Sequence, residues 1–232
     1  MAFNSQQTKR ARAIVLVAAL VVVVAIAVAV ATGGFDSLVQ ATQSSDTSSE
    51  TSSESSSDDT STSDDAVDTV DEQYGSAVQS LLAQYEADSD NPTTLLNLAN
   101  GYFDWGVAVL NHASDDDDEE HAIELLNEAI GYYDSYLADN ASAKSAIVDR
   151  AICVFYTGDH DGAIAALEDL VTNLDADFAP AWANLGMFYE ADDRTEEAIS
   201  AYETAISAAG DEDAYGVCDY AESRLSALSE TS

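Results

Sequence analysis

Basic side chains are scarce in this chain of 232 residues, which has 7 Lys plus Arg against 44 Asp plus Glu and a formal net charge of -37. Lys9, Arg10 and Arg12 come before a long apolar run, and every acid comes after it. The acidic part repels phosphate backbones, so we expect no nucleic-acid partner. Its charge would attract basic partners or cations, or would serve solubility or adaptation to a salty habitat.

Cysteines and catalytic motifs are also few. The two cysteines are Cys153 and Cys218, and neither comes directly after the apolar run, which argues against a bacterial lipoprotein. We find no nucleophile elbow, phosphate-binding loop, zinc-ligand spacing or pair of carboxylates in an apolar setting. The acidic run 115–118 is contiguous, whereas calcium loops alternate their ligands. The sequence therefore predicts no enzyme activity, no cofactor and no metal site.

A run without polar residues covers 13–31. As a helix it would span roughly 28 Å, close to the thickness of a bilayer core. With basic residues before it, the positive-inside rule predicts a single-pass membrane protein whose tail, 1–12, is cytoplasmic and whose remaining chain lies outside. The alternative is a signal peptide cleaved after Ala31, although the run is longer than the apolar core of most signal peptides. Residues 32–70 are rich in Ser, Thr and Asp, which predicts a disordered linker.

Helical periodicity governs the remainder, and it is clearest in residues 180–210. An apolar face with spacing i, i+3, i+4, i+7 is followed by a turn and a face with spacing i, i+4, i+7. The turn predicts a cap at Asp193, with Glu196 reaching back to it. Small residues at matching places would let two antiparallel helices approach closely. These faces comprise Trp182, Leu185, Gly186 and Tyr189, then Ala198, Tyr202 and Ala205.

Two earlier stretches repeat this spacing less completely. The first includes Leu98 and Tyr102 and has an insertion at 112–120. The second includes Ala163, and the spacing from Ala163 to Ala198 is one residue longer than the 34 residues of an ideal repeat. The segment 175–179 can absorb that residue. A leading helix is predicted over 70–87, and an amphipathic helix at 217–228 would cap the C-terminal end.

This pattern resembles the tetratricopeptide repeat (TPR), in which Trp, Leu, Gly and Tyr on a first helix precede Ala, Phe or Tyr, and Ala on a second. The resemblance implies an all-α, TPR-like α-solenoid over 71–228, with about three helical hairpins plus leading and capping helices. It also places Cys153 and Cys218 on elements separated by the third repeat, so they should be two free thiols.

In this family the first helices line a concave groove that binds peptides. The resemblance maps nine residues onto that groove, although any one of them could instead be core: Asn97, Asn100, Phe103, Val148, Ile152, Phe155, Tyr156, Asn184 and Met187. Apart from Arg150, the groove has none of the Lys and Arg with which some members clamp a carboxylate, so a neutral or basic partner is favoured.

The leading hypothesis is a membrane-anchored, extracytoplasmic scaffold that binds a protein or peptide segment, in envelope assembly or secretion. The alternatives are a structural surface protein that self-associates as a homo-oligomer, and an acidic surface domain that binds cations.

Overall fold

The structure, a computed structural model, describes residues 64–230 and the side chains of residues 66–230. This range consists of helices and contains no strand. The predicted tail 1–12, the transmembrane segment 13–31 and most of the linker 32–70 lie outside it. Among the helices of residues 64–230, none combines the length and apolarity that crossing a bilayer requires. The helices are α1 (Asp64–Ala87), α2 (Pro92–His112), α3 (Asp116–Asp139), α4 (Lys144–Tyr156), α5 (His160–Asp169), α6 (Ala179–Ala191), α7 (Thr195–Ala209) and α8 (Val217–Glu230).

Three hairpins form the body of the domain: α2 with α3, α4 with α5, and α6 with α7. Helix α1 packs on α2, and α8 packs on α7. Between hairpins, α2 contacts α4, α4 contacts α6 and α6 contacts α8, whereas no comparable contact joins α3 to α5 or α5 to α7 in the described range. The first helices therefore form one continuous inner layer and the second helices an outer layer, as in a helical solenoid.

The ten residues of the predicted repeat core pack at or beside the hydrophobic core. Gly186 lies against Tyr202, because a Cβ added to this glycine would lie 2.5 Å from Cε1 of the tyrosine ring. The close approach expected between the two helices is therefore present. Tyr102 and Trp182 are half-buried, and the other eight are buried: Leu98, Ala163, Leu185, Gly186, Tyr189, Ala198, Tyr202 and Ala205.

The leading helix begins earlier than its apolar pattern predicts. Helix α1 starts at Asp64, inside the range 32–70 that the composition assigns to a linker. Val67 and Val70 are buried in a small cluster with Val109 and other apolar residues of α2 and α3. This contact stabilises six residues that, read alone, are too polar to predict a helix.

The insertion in the first hairpin lengthens its helices, not its turn. Helix α2 continues to His112 and α3 begins at Asp116, so most of the predicted insertion, 112–120, is helical. The Asp115 carboxylate accepts hydrogen bonds from the backbone N–H groups of Asp117 and Asp118, at 3.0 Å each. Carboxylates are favourable at a helix N-terminus, so the acidic run starts a helix here.

Two further local predictions were wrong. The N-cap position of α7 is Arg194, which makes no side-chain capping hydrogen bond, and not the predicted Asp193, which adopts φ 62°. The additional residue of the second repeat is absorbed in a π-helical turn, Leu170–Leu174, and not in the segment 175–179. In that turn the Asp175 N–H donates to the Leu170 carbonyl at 2.9 Å, which is the i to i+5 spacing that accommodates one more residue.

Candidate binding surface

The candidate site is the inner face, which we define as the surface of α2, α4, α6 and α8 that faces away from the outer layer α3, α5 and α7. Three residues occupy the same place on successive inner helices, because each comes two positions before the small residue of its repeat pattern. These residues are Asn97, Asp149 and Asn184, before Ala99, Ala151 and Gly186 respectively. We call them the inner-face row.

Most of the nine residues mapped onto the groove are packed between helices. Asn97 is exposed, while Asn100 and Tyr156 are half-buried. Phe155 stacks on Phe188 with ring centroids 4.2 Å apart, so it joins α4 to α6. Six side chains are buried and offer a partner little surface as they stand; their role in binding stays a prediction: Phe103, Val148, Ile152, Phe155, Asn184 and Met187.

Some of the polar groups on this face already have hydrogen-bond partners within the domain. The Tyr133 hydroxyl of α3 donates to Asn100 Oδ1 at 2.7 Å. Asn184 donates from Nδ2 to the Pro180 carbonyl at 2.8 Å, but its Oδ1 has no partner among the described residues. The Tyr156 hydroxyl is likewise buried without a partner in that range. With the Tyr220 hydroxyl of α8, which is also buried without a partner there, three polar atoms of the inner helices retain unused hydrogen-bonding capacity.

Sequence reasoning missed a pair of carboxyl groups on the inner layer. Asp104 of α2 and Asp149 of α4 are both half-buried, and neither has a hydrogen bond or ion pair with the described residues. Burial raises the pKa of Asp104 to about 7. Burial, and then repulsion by Asp104, raises the pKa of Asp149 to about 8. Each residue alone looks like an ordinary surface acid, and only the packing of α2 on α4 brings the two within electrostatic range.

The basic side chains of the domain are all occupied elsewhere. Each of the four Lys and Arg residues in the described range pairs with a carboxylate: Lys144 with Asp175, Arg150 with Asp134, Arg194 with Glu197 and Arg224 with Glu190. Since none of these carboxylates is Asp104 or Asp149, the inner carboxyl pair has no cation of its own within the described residues.

The last inner helix is joined to α6 by a charged contact. Glu190 accepts hydrogen bonds from the Tyr202 hydroxyl at 3.0 Å and from Arg224 Nε at 3.1 Å. Burial raises the pKa of Tyr220 to about 12, so this neighbouring hydroxyl stays neutral near pH 7. Arg224 thereby fixes α8 on the inner face beside α6, and the acid at this end of the face is neutralised within the domain.

The cysteines and histidines, which all lie in the described range, do not form a site. Cys153 is buried and Cys218 is half-buried, and both are free thiols. His160 Nδ1 lies 2.7 Å from Asp192 Oδ1, and His121 Nε2 lies 3.1 Å from Asp71 Oδ1, so two of the three histidines have carboxylate partners. No group of three or more His, Cys, Asp or Glu within the described part of the chain is arranged to hold a metal ion.

Comparison with known proteins finds similarity to helical-repeat proteins. A crystal structure of MamA is 24% identical, with a TM-score of 0.46, and covers 68% of this chain and 87% of its own. TTC0263, a thermophilic TPR protein in Thermus thermophilus, is 18% identical with a TM-score of 0.43 over 71% of this chain and 100% of its own. YrrB, a TPR protein with an unusual peptide-binding site, is 19% identical with a TM-score of 0.35 over 67% and 87%.

Within the chain, the family model of the tetratricopeptide repeat matches residues 179–212, which comprise α6, α7 and the turn between them. No curated protein matches the sequence. Residues 179–212 are therefore a tetratricopeptide repeat, set in an all-helical, TPR-like solenoid.

Proposed function

We propose that the helical domain is a non-catalytic scaffold that binds an extended segment of a partner protein on its inner face. The observation that carries this proposal is the inner-face row, which repeats a polar side chain at one position along three adjoining helices. Amide groups in such a row can bond the backbone of an extended peptide. Within the row, the exposed amide of Asn97 is the group that a peptide reaches directly, whereas Asn184 is buried.

The test compares two identical substitutions, one on each layer. Asn97→Trp places a large ring on the inner face at an exposed position, and Asn127→Trp places it at an exposed position of α3 in the outer layer. The purified chain is panned against a display library of random peptides, and the selected peptides are then titrated against both variants. We expect Asn97→Trp to abolish their binding and Asn127→Trp to leave it unchanged. Equal binding to both variants, or no selected peptide at all, would contradict the proposal.

We also propose that residues 13–31 anchor this scaffold in a membrane, with the domain outside the cytoplasm and a role in envelope assembly or secretion. The support is the sequence alone: an uninterrupted apolar run, basic residues on its N-terminal side and an acidic chain after it. Membrane fractions washed at high pH should retain the full-length chain, and protease added outside the cell should digest the domain. A mature chain that begins after Ala31 would replace the anchor with a cleaved signal peptide.

A homo-oligomer is the competing use of the same face. Light scattering on the purified chain without peptide distinguishes the two, because a stable dimer dissociated by Asn97→Trp would show that the inner face binds a second copy. A monomer whose mass is the same for wild type and Asn97→Trp leaves the face available to a different protein.

A further inference from the structure

We propose that the inner face between α2 and α4 binds a partner segment through a lysine or arginine side chain whose cation lies between Asp104 and Asp149. This inference rests on the proposed function, since it names the chemistry of the segment that the inner face would bind. It is the reverse of a clamp in which Lys and Arg of the scaffold bind a carboxylate of the segment, because here the scaffold supplies the carboxylates and the segment supplies the cation.

The placement of the two carboxyls is the first support. Asp104 is just past the middle of α2 and Asp149 is on α4, and the two helices contact each other directly in the inner layer. Both side chains are half-buried, so they lie within the face yet keep access to solvent. The hydroxyl of Tyr133, which lies within electrostatic range of both carboxyls, already donates to Asn100. The carboxyl oxygens therefore lack an internal donor among the described residues.

Charge complementarity is the second support. The described range has four Lys and Arg side chains, and each is paired with a carboxylate other than these two. Two carboxyls that are partly shielded from water and lie near each other are costly unless a cation or protons neutralise them. With no internal cation left, a positive group from a partner is the complement that this pair lacks.

The inner-face row provides the third and independent support. Asp149 is its middle member, between Asn97 and Asn184. Asn184 is 2% exposed and its Oδ1 has no hydrogen-bond partner in the described residues, so the same row carries a buried acceptor that is unsatisfied. The row thus has an accessible amide, Asn97, next to a charged group, Asp149, as expected where a segment presents one basic side chain.

The test uses peptides selected on the wild-type chain, each made in two forms, one with its Lys or Arg and one with norleucine at that position. The variant Asp104→Asn with Asp149→Asn removes two negative charges from the face. Its matched control is Glu124→Gln with Glu203→Gln, which removes two exposed charges from the outer helices α3 and α7. Circular dichroism and thermal melting of both variants establish that each is folded.

We expect the inner variant to weaken binding of the basic form by about tenfold or more, the usual effect of losing a charge-assisted hydrogen bond. The outer variant should change it by less than about twofold. The norleucine form should bind the wild type as weakly as the basic form binds the inner variant. Equal weakening by inner and outer variants would show a general attraction to the acidic surface and would overturn the inference.

Failure of this inference is distinguishable from failure of the proposed function. Selected peptides without a basic residue that are still blocked by Asn97→Trp would overturn the cation site and leave the inner face as a binding surface. Peptides insensitive to Asn97→Trp would overturn both.

Proton release gives an additional readout that surface attraction would not produce. The titratable groups facing the pair are Tyr74 from α1, Tyr133 from α3 and Cys153 from α4; Arg150 lies near Cys153 and is paired with Asp134. Burial raises the pKa of both tyrosines and of the thiol, so of these groups only the two aspartates exchange protons near pH 7. Titration calorimetry in buffers of different ionisation enthalpy should show protons released on binding to the wild type. Release that persists in the inner variant would contradict the proposal.

Discussion

Single residues decide how closely the helices of the matched repeat approach. Gly186 allows α6 to touch the Tyr202 ring of α7, and Tyr202 in turn donates to Glu190. The sequence pattern predicted this approach because a small residue and a large one recur at fixed positions of the two helices. It could not predict that Glu190 is neutralised by Arg224 of α8, since that pair joins residues far apart in the chain.

The first prediction concerns this contact. Gly186→Ala adds a Cβ 2.5 Å from a ring atom of Tyr202, which is buried and cannot move freely. We expect a loss of about 1–3 kcal/mol in the free energy of unfolding, the usual cost of overpacking. Gly131→Ala is the matched control, because Gly131 is exposed on α3 with no atom within 4 Å of an added Cβ. Urea unfolding should show the control to be as stable as the wild type or up to about 1 kcal/mol more stable.

A second prediction concerns pH. Unfolding returns the pKa of Asp104 and Asp149 from about 7 and about 8 to the ordinary range near 4, so the folded state binds more protons between about pH 4 and pH 8. The contribution of the pair to stability therefore falls as the pH rises through this window. Asp104→Asn with Asp149→Asn should stabilise the chain at about pH 8 by at least 1 kcal/mol, roughly the value of one pKa unit.

The gain should be small at about pH 4, where both carboxyls are protonated in the folded state and about half protonated in the unfolded state, and should vanish below about pH 3. Thermal melts of the wild type and of this variant across the window measure the difference directly. A gain of constant size at every pH would point to altered packing and would contradict the raised pKa values. The outer variant Glu124→Gln with Glu203→Gln should show no such pH-dependent gain.

At the scale of helices, the sequence predicted the order of elements well and their ends poorly. Amphipathic spacing found the hairpins because burial on one face repeats every turn. The repeat spacing revealed the extra residue between Ala163 and Ala198, but it did not reveal that a π-helical turn at Leu170–Leu174 accommodates it. The start of α1 was missed because Val67 and Val70 are held by contacts with α2 and α3.

The third prediction concerns a carboxylate that joins α1 to α2 and α3. Asp71 accepts a hydrogen bond from Trp105 Nε1 of α2 at 2.7 Å and lies 3.1 Å from His121 Nε2 of α3. Asp71→Ala should therefore cost roughly 1–2 kcal/mol in the local stability of α1. Amide hydrogen exchange should accelerate in α1 while α6 and α7 keep their protection. Asp68→Ala, at an exposed position of the same helix, should change neither; acceleration spread evenly over all helices would count against a local role.

At the scale of the whole molecule, the inner face illustrates why the site was harder to predict than the fold. A solenoid follows from local periodicity, but exposure on its inner face depends on how tightly successive hairpins pack. Here α4 and α6 approach so closely that Phe155 and Phe188 stack and Met187 is buried. The accessible chemistry of the face shifts as a result from aromatic groups to Asn97 and the carboxyl pair.

The acidity of the whole chain leads to the last prediction. With 44 acids and 7 bases, like-charge repulsion opposes the compact state, and salt screens it. Raising KCl from about 0.1 M to about 1 M shortens the screening length from about 10 Å to about 3 Å, so the Tm should rise by several degrees.

Replacing the exposed Glu124, Glu128 and Glu203 with Gln should raise the Tm in low salt and reduce the increase in Tm that KCl produces. Sucrose at equal osmolality should give the same increment for both chains, because it acts without screening charge. If KCl raised the Tm of the neutralised variant as much as that of the wild type, the salt effect would come from exclusion of salt from the protein surface and not from screening of the acids.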